Sequence, residues 1–141
     1  MGYAWLSHTA DIALRAWGPD PVSVFVEAAR GLLEEMTEGA LREVSPTAWI
    51  PVRICASSYG ELLVDWLNEL IFWYETRSVY AVAFQVHIRR IADGFCLEGR
   101  VGTFPVGAQV AKLQIKAATY HGLRFAQTPD GKWEAEVVLD I

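Results

Sequence analysis

Ser58-Tyr59-Gly60-Glu61-Leu62-Leu63-Val64-Asp65-Trp66-Leu67-Asn68-Glu69-Leu70-Ile71 is the stretch on which the fold turns. Its first four residues match a capping box, in which Ser58 and Glu61 satisfy each other's backbone donors at a helix start. Leu62, Leu63, Trp66, Leu67, Leu70, Ile71 and Tyr74 then recur at helical spacing and predict a helix with one apolar stripe, running to about Arg77. The region Leu62 to Tyr74 is also the best place to look for a membrane span. Asp65, Asn68 and Glu69 interrupt it, so it reads as an amphipathic helix of a water-borne domain.

Upstream, Gly18-Pro19-Asp20-Pro21 breaks the chain, with Asp20 suited to cap a helix and Pro21 to be its first residue. Val22, Phe25, Val26, Ala29, Leu32, Leu33 and Met36 form its apolar side, Glu27, Arg30, Glu34 and Glu35 its polar side, and Gly39 its end. Before that break, Ile12, Leu14 and Ala16 alternate as a strand, with Ala13 and Arg15 on the other face. Between the helices, Ala48 to Ala56 reads as a strand with Pro51 near its start or on an edge.

Downstream, Val79 to Ile91 turns through Ala92-Asp93-Gly94 into Phe95 to Val101, a predicted hairpin. Gly102 to Ala111, with Thr103, Pro105 and Gly107, reads as a loop. Leu113 to Tyr120, Leu123 to Ala126 and Trp133 to Ile141 read as strands, the last two joined through Pro129-Asp130-Gly131. Two amphipathic helices and about seven strands predict an α+β fold, a single domain over 1–141 with the helices packed on a mainly antiparallel sheet.

The composition bounds the function. A chain of 141 residues suits one core, and a net charge of −5 argues against holding nucleic acid mainly by phosphate neutralisation. A protein partner or a cation fits better, and no strong direct nucleic-acid binding and no membrane are expected. The N-terminus lacks the pattern of a signal peptide. Cys55 and Cys96 lie in apolar surroundings without CxxC spacing and read as free buried thiols of a reducing cytoplasm.

Two aspartates stand at opposite ends of the chain. Asp11 closes the polar turn Ser7-His8-Thr9-Ala10, and Asp140 follows the apolar run Val137-Val138-Leu139. If strand pairing joins them, they and a carboxylate at Ile141 converge, and a cation relieves their repulsion. On spacing alone, solvated strand-end carboxylates explain them equally well. His8 either orients Asp11 or caps the turn, His87 reads as a strand-face residue, and no histidine pair has the spacing of a helical zinc site. Lys116, in an otherwise apolar or small segment, reads on its own as a solvated strand residue. The six tryptophans read as packing, with no interleaving of basic and aromatic residues that marks an RNA-stacking face.

Taken in order, His8-Thr9-Ala10-Asp11, Arg15-Ala16-Trp17-Gly18, Leu62-Leu63-Val64-Asp65-Trp66-Leu67-Asn68-Glu69-Leu70, Ile115-Lys116-Ala117-Ala118-Thr119-Tyr120-His121 and Val138-Leu139-Asp140-Ile141 resemble the archease family from end to end. That resemblance implies a small cytosolic cofactor protein, not itself an enzyme. It would act on the GTP-dependent tRNA-splicing RNA ligase, which joins 2′,3′-cyclic phosphate or 3′-phosphate ends to 5′-hydroxyl ends. It further implies that Asp11 and Asp140, with Ile141 through the chain end, line a divalent-cation site. Calcium or magnesium suits such oxygen ligands. Lys116 becomes a residue of partner activation and His8 a supporting one. The chain departs from the family pattern where Gly102 is followed by Thr103 and no histidine appears before His121, so no role is carried onto Thr103 to Ala111. Two other classes compete: a metal-dependent phosphoesterase, for which His8 is the sole candidate base, and a chaperone-like binding module.

Overall fold

The computed structural model describes residues 1–7, 11–41, 43–107 and 114–141. Among them the elements run β1 (Gly2–Ser7), β2 (Asp11–Gly18), α1 (Pro21–Thr37), β3 (Ala48–Ala56), α2 (Tyr59–Arg77), β4 (Val79–Ile91), β5 (Gly94–Pro105), β6 (Ala117–Ala118), β7 (Arg124–Gln127) and β8 (Trp133–Asp140). Local chemistry sets both helix starts. The Asp20 carboxylate accepts from the Ser23 N–H at 2.9 Å, and the Ser23 hydroxyl accepts from the Asp20 N–H at 3.3 Å. At α2 only half of the expected box forms: Ser58 Oγ accepts from the Glu61 N–H at 3.2 Å, while the Glu61 carboxylate accepts from the Ser57 hydroxyl. Both helices end on a left-handed residue, Glu38 and Ser78.

The α+β class and the antiparallel pairing are as read, and the strands divide between two sheets. The first runs β1-β2-β8-β6 with β7 also on β8, and the second runs β3-β5-β4. Each helix touches both sheets: α1 packs on β1, β2 and β8 and also on β4, while α2 packs on β6 and β7 and also on β3, β4 and β5. The helices therefore form a middle layer. Leu62, Leu63, Val64, Trp66 and Leu67 all have 0% exposure. Successive helical residues point about 100° apart, so only a helix covered on several sides buries such a run. The single stripe expected for α2 is thus too narrow. Glu27, placed by its spacing on the polar side of α1, is also buried, and its carboxylate takes Arg30 at 2.9 Å. The Trp66 indole N–H donates to the Phe25 carbonyl at 3.0 Å, tying the helices together.

Gly31 lets α1 approach the first sheet closely. A Cβ there would stand 2.9 Å from Leu14 Cδ1 and 3.0 Å from Tyr3 Cδ2, tighter than side chains tolerate.

Other expectations are corrected. The predicted loop from Gly102 begins as strand: β5 continues to Pro105, with Ala48↔Thr103 and Trp49↔Gly102 on one side and Tyr80↔Phe104 on the other. Partners on both edges override the turn-like composition, and Pro105 sits at the strand end where a missing N–H is tolerated. Of the strand expected from Leu113, only Ala117–Ala118 pairs; positions 108–113 lie outside the described residues. Cys55 and Cys96 are not free thiols. They face each other across β3 and β5 and form a disulfide, a pairing across a sequence separation of 41 that only the register reveals.

Candidate functional site

The register of β2 on β8 decides where the carboxylates go. Ile12↔Leu139 and Leu14↔Val137 are opposed pairs, and Leu14, Val137 and Leu139 are buried in the core. One step beyond lies Asp11↔Asp140. Directly opposed residues share a face of the sheet, with Cβ atoms about 4.5–5.5 Å apart. The two carboxylates at opposite ends of the sequence are therefore neighbours. Asp140 is exposed, whereas Oδ1 of Asp11 is buried.

The other edge of β8 holds the segment that contains Lys116. Ala117↔Asp140 and Ala118↔Leu139 pair, the Lys116 N–H donates to the Asp140 carbonyl at 2.8 Å, and the Thr119 N–H and hydroxyl both donate to the Val138 carbonyl at 2.9 Å. A two-residue strand has little pairing of its own to hold it. Asn68 of α2 supplies the rest: its amide nitrogen donates to the Ala118 carbonyl at 3.1 Å and its amide oxygen accepts from the Ala118 N–H at 2.8 Å. The side-chain amide imitates a neighbouring peptide on the free edge of β6. One turn earlier, Asp65 accepts from the Tyr120 hydroxyl at 3.2 Å. The phenol is pushed above its ordinary value, by desolvation first and then by the charge of Asp65. Asn68 and Asp65 thus fasten Ala118 and Tyr120 to α2.

Asp11 and Asp140 offer hard oxygen donors on one face, the kind that suits calcium or magnesium. Among the described residues no group of three or more His, Cys, Asp or Glu side chains gathers closely enough to hold an ion. The pair fits a cation in chemistry, and in number only with main-chain oxygens or water completing the shell. His8 lies outside the described residues. Lys116 is exposed and enters the site through its backbone, and Ile141, half-buried, follows directly on Asp140.

The model of the Archease protein family matches residues 3–141. The chain belongs to the archease family. Similar archeases include "Protein archease" of Methanopyrus kandleri, 31% identical over 143 residues and covering 100% of each chain. That of Methanothermobacter thermautotrophicus is 32% identical, covering 99% of each. The solution structure of a Methanobacterium thermoautotrophicum protein superposes with a TM-score of 0.83 at 32% identity over 99% of each chain. An archease crystal structure from Thermotoga maritima, described as a possible chaperone, shares the fold with a TM-score of 0.60 at 23% identity, covering 96% of this chain and 94% of that one.

Residue spacing alone left Asp11 and Asp140 unjoined, and the archease fold joins them. Thr103, where the chain departs from the family pattern, is 2% exposed within β5 and donates its hydroxyl to the Ala48 carbonyl at 3.5 Å. Asn68, which holds Ala118 beside the carboxylate pair, is the residue of this cluster that sequence reasoning missed. The signal was present: a carboxamide in a largely buried apolar helix finds partners, and backbone groups supply most of them.

Proposed function

We propose that this archease is a non-enzymatic activator of the GTP-dependent RNA ligase that joins 2′,3′-cyclic phosphate or 3′-phosphate ends to 5′-hydroxyl ends. Family membership supports the reading, and the observation that carries it is the opposition of Asp11 and Asp140 beside the Lys116 segment. In this reading Asp11, Asp140 and a main-chain oxygen of Ile141 are the ligands of a divalent ion. The ion would supply a Lewis-acidic centre for phosphate oxygens of the ligase's nucleotide site. Asp11 and Asp140 hold their carboxylates in place through the β2–β8 register, so the ligand pair is preorganised by the sheet. The exposed ammonium of Lys116 meets a phosphate or a carboxylate of the ligase. The ligase is cytoplasmic in this reading. With the cysteines paired, the placement in the cytoplasm rests on the ligase alone.

The test mixes the chain with the ligase of the same organism, GTP and magnesium, and follows covalent guanylylation of the ligase. Stimulation by the wild-type chain and its loss in Asp11→Asn and Asp140→Asn, with unchanged circular dichroism, are the expected results. The same two variants should reduce the rise in melting temperature that magnesium or calcium gives the wild type. Undiminished stimulation by both variants removes the carboxylates from the mechanism. The possible-chaperone description of the Thermotoga protein brings in the second reading, a protein-binding module. It places function on exposed apolar residues such as Leu6 and Phe72, and predicts that the carboxylate variants keep full activity.

A further inference from the structure

The second sheet turns one face to the core and the other to solvent, and the solvent face is basic on an acidic protein. Its cross-strand rows are Arg53↔Glu98↔His87, Pro51↔Arg100↔Gln85 and Cys55↔Cys96↔Arg89. Arg53, Arg100 and Arg89 come from three different strands and are all exposed. On these three strands, this face carries one acid, Glu98, giving it a charge of about +2 while the chain as a whole is −5. Arg89 reaches Glu98 at 2.8 Å, and the Arg100 Nε–H donates to the Gln85 amide oxygen at 2.7 Å. The Glu98 carboxyl is held below its ordinary value, by the Arg89 hydrogen bond first and with contributions from Arg53 and His87, so the cations converge on one acid. At the next row out, the Arg100 guanidinium lies 4.3 Å from the centroid of the half-buried Trp49 ring.

We propose that this outer face of β3-β5-β4 is a weak docking surface for single-stranded RNA, independent of the carboxylate site. Guanidinium groups match phosphate oxygens bidentately, and the Arg100 guanidinium, held over the Trp49 ring, offers a base a cationic plane to stack on without sequence preference. An acidic protein surface satisfies the arginines but leaves no use for a ring paired with Arg100, which is why RNA is the favoured polyanion. Three arginines make the binding weak and salt-sensitive, in keeping with the negative charge of the chain. The slope of log affinity against log salt should be about −2, since each single-strand phosphate contact contributes about 0.7. Affinity should then drop about 20-fold between about 50 and about 200 mM salt.

The experiment titrates fluorescein-labelled oligouridylate with the full chain at low salt, following anisotropy, with a labelled oligoglutamate as the competing polyanion. Arg53→Gln, Arg89→Gln and Arg100→Gln together should flatten the salt slope to near zero, and Trp49→Ala should weaken RNA binding about fivefold with the slope retained. To guard against misfolded variants, amide shifts of the wild-type chain on adding oligouridylate should cluster on residues 49–53, 85–89 and 98–100. Three results overturn the proposal. One is no RNA binding by the wild type at about 50 mM salt, and another is shifts that cluster on 114–121. The third is oligoglutamate binding as tightly as RNA with no effect of Trp49→Ala, which makes the face a dock for an acidic protein.

Discussion

Asn68 shows how much of the site one side chain carries. It makes two hydrogen bonds to Ala118, whose neighbours Lys116 and Ala117 flank Asp140. Asn68→Ala leaves a donor and an acceptor without those partners and should cost about 1–3 kcal/mol in urea unfolding. Asn68→Asp keeps the acceptor for the Ala118 N–H but sets a carboxylate oxygen against the Ala118 carbonyl, so it should be at least as damaging. Wild-type stability in both variants would refute the clamp. Lys116 is tested differently, because a protonated amine cannot ligate a metal. Lys116→Ala should leave the metal-induced rise in melting temperature intact, or slightly larger for want of a nearby positive charge, while ligase guanylylation falls strongly. Lys116→Arg should restore guanylylation only in part, since its reach and hydrogen-bond geometry differ.

At the scale of elements, two cross-strand ties carry measurable consequences. The Cys55–Cys96 disulfide joins β3 to β5 across a loop of 41 residues. Closing a loop of that size restricts the unfolded chain by up to about 4 kcal/mol on the chain-entropy model. Reduction with dithiothreitol should therefore lower the melting temperature of the wild type and leave Cys55→Ala/Cys96→Ala unmoved. The second tie is Glu134 of β8, which takes Arg124 of β7 at 2.9 Å and Arg15 of β2 at 3.3 Å. Its carboxyl is held below the ordinary value, by the Arg124 hydrogen bond first and by Arg15 as well. A lowered folded-state value means the contribution is present above the unfolded carboxyl value, near 4.5, and is lost as pH falls through the folded one. Glu134→Gln should thus unfold with a shallower pH dependence below about pH 5, by a small margin because both arginines are half in solvent. Identical acid curves for the two proteins would assign the bonds no net stability.

At the scale of the whole molecule, the middle helix layer makes the two sheets depend on each other. Each sheet loses part of its cover once α2 leaves, since Leu62, Leu63, Trp66 and Leu67 are fully buried and α2 packs on strands of both. Unfolding should accordingly be one transition, with far-UV circular dichroism and tryptophan fluorescence coinciding along a urea series. Leu63→Ala should shift that transition by about 2–5 kcal/mol without splitting it. Two separated transitions would show that one sheet stands without the other.

The features legible in the sequence are those whose causes lie within a few residues. Asp20 and Pro21 open α1, and Ser58 opens α2, because capping groups act on the next turn. The β4–β5 turn at Ala92-Asp93-Gly94 and the family motifs were readable for the same reason. Register, layering and face were not. Asp11 meets Asp140, Cys55 meets Cys96, and Arg53, Arg89 and Arg100 share one surface only because β8 and β5 are central strands with partners on both edges. The width of the buried surface on α2 and the extension of β5 to Pro105 were likewise set by what packs or pairs on both sides. Which strand lies beside which is chosen by the buried area that the entire chain can share, a quantity that no local window of residues contains.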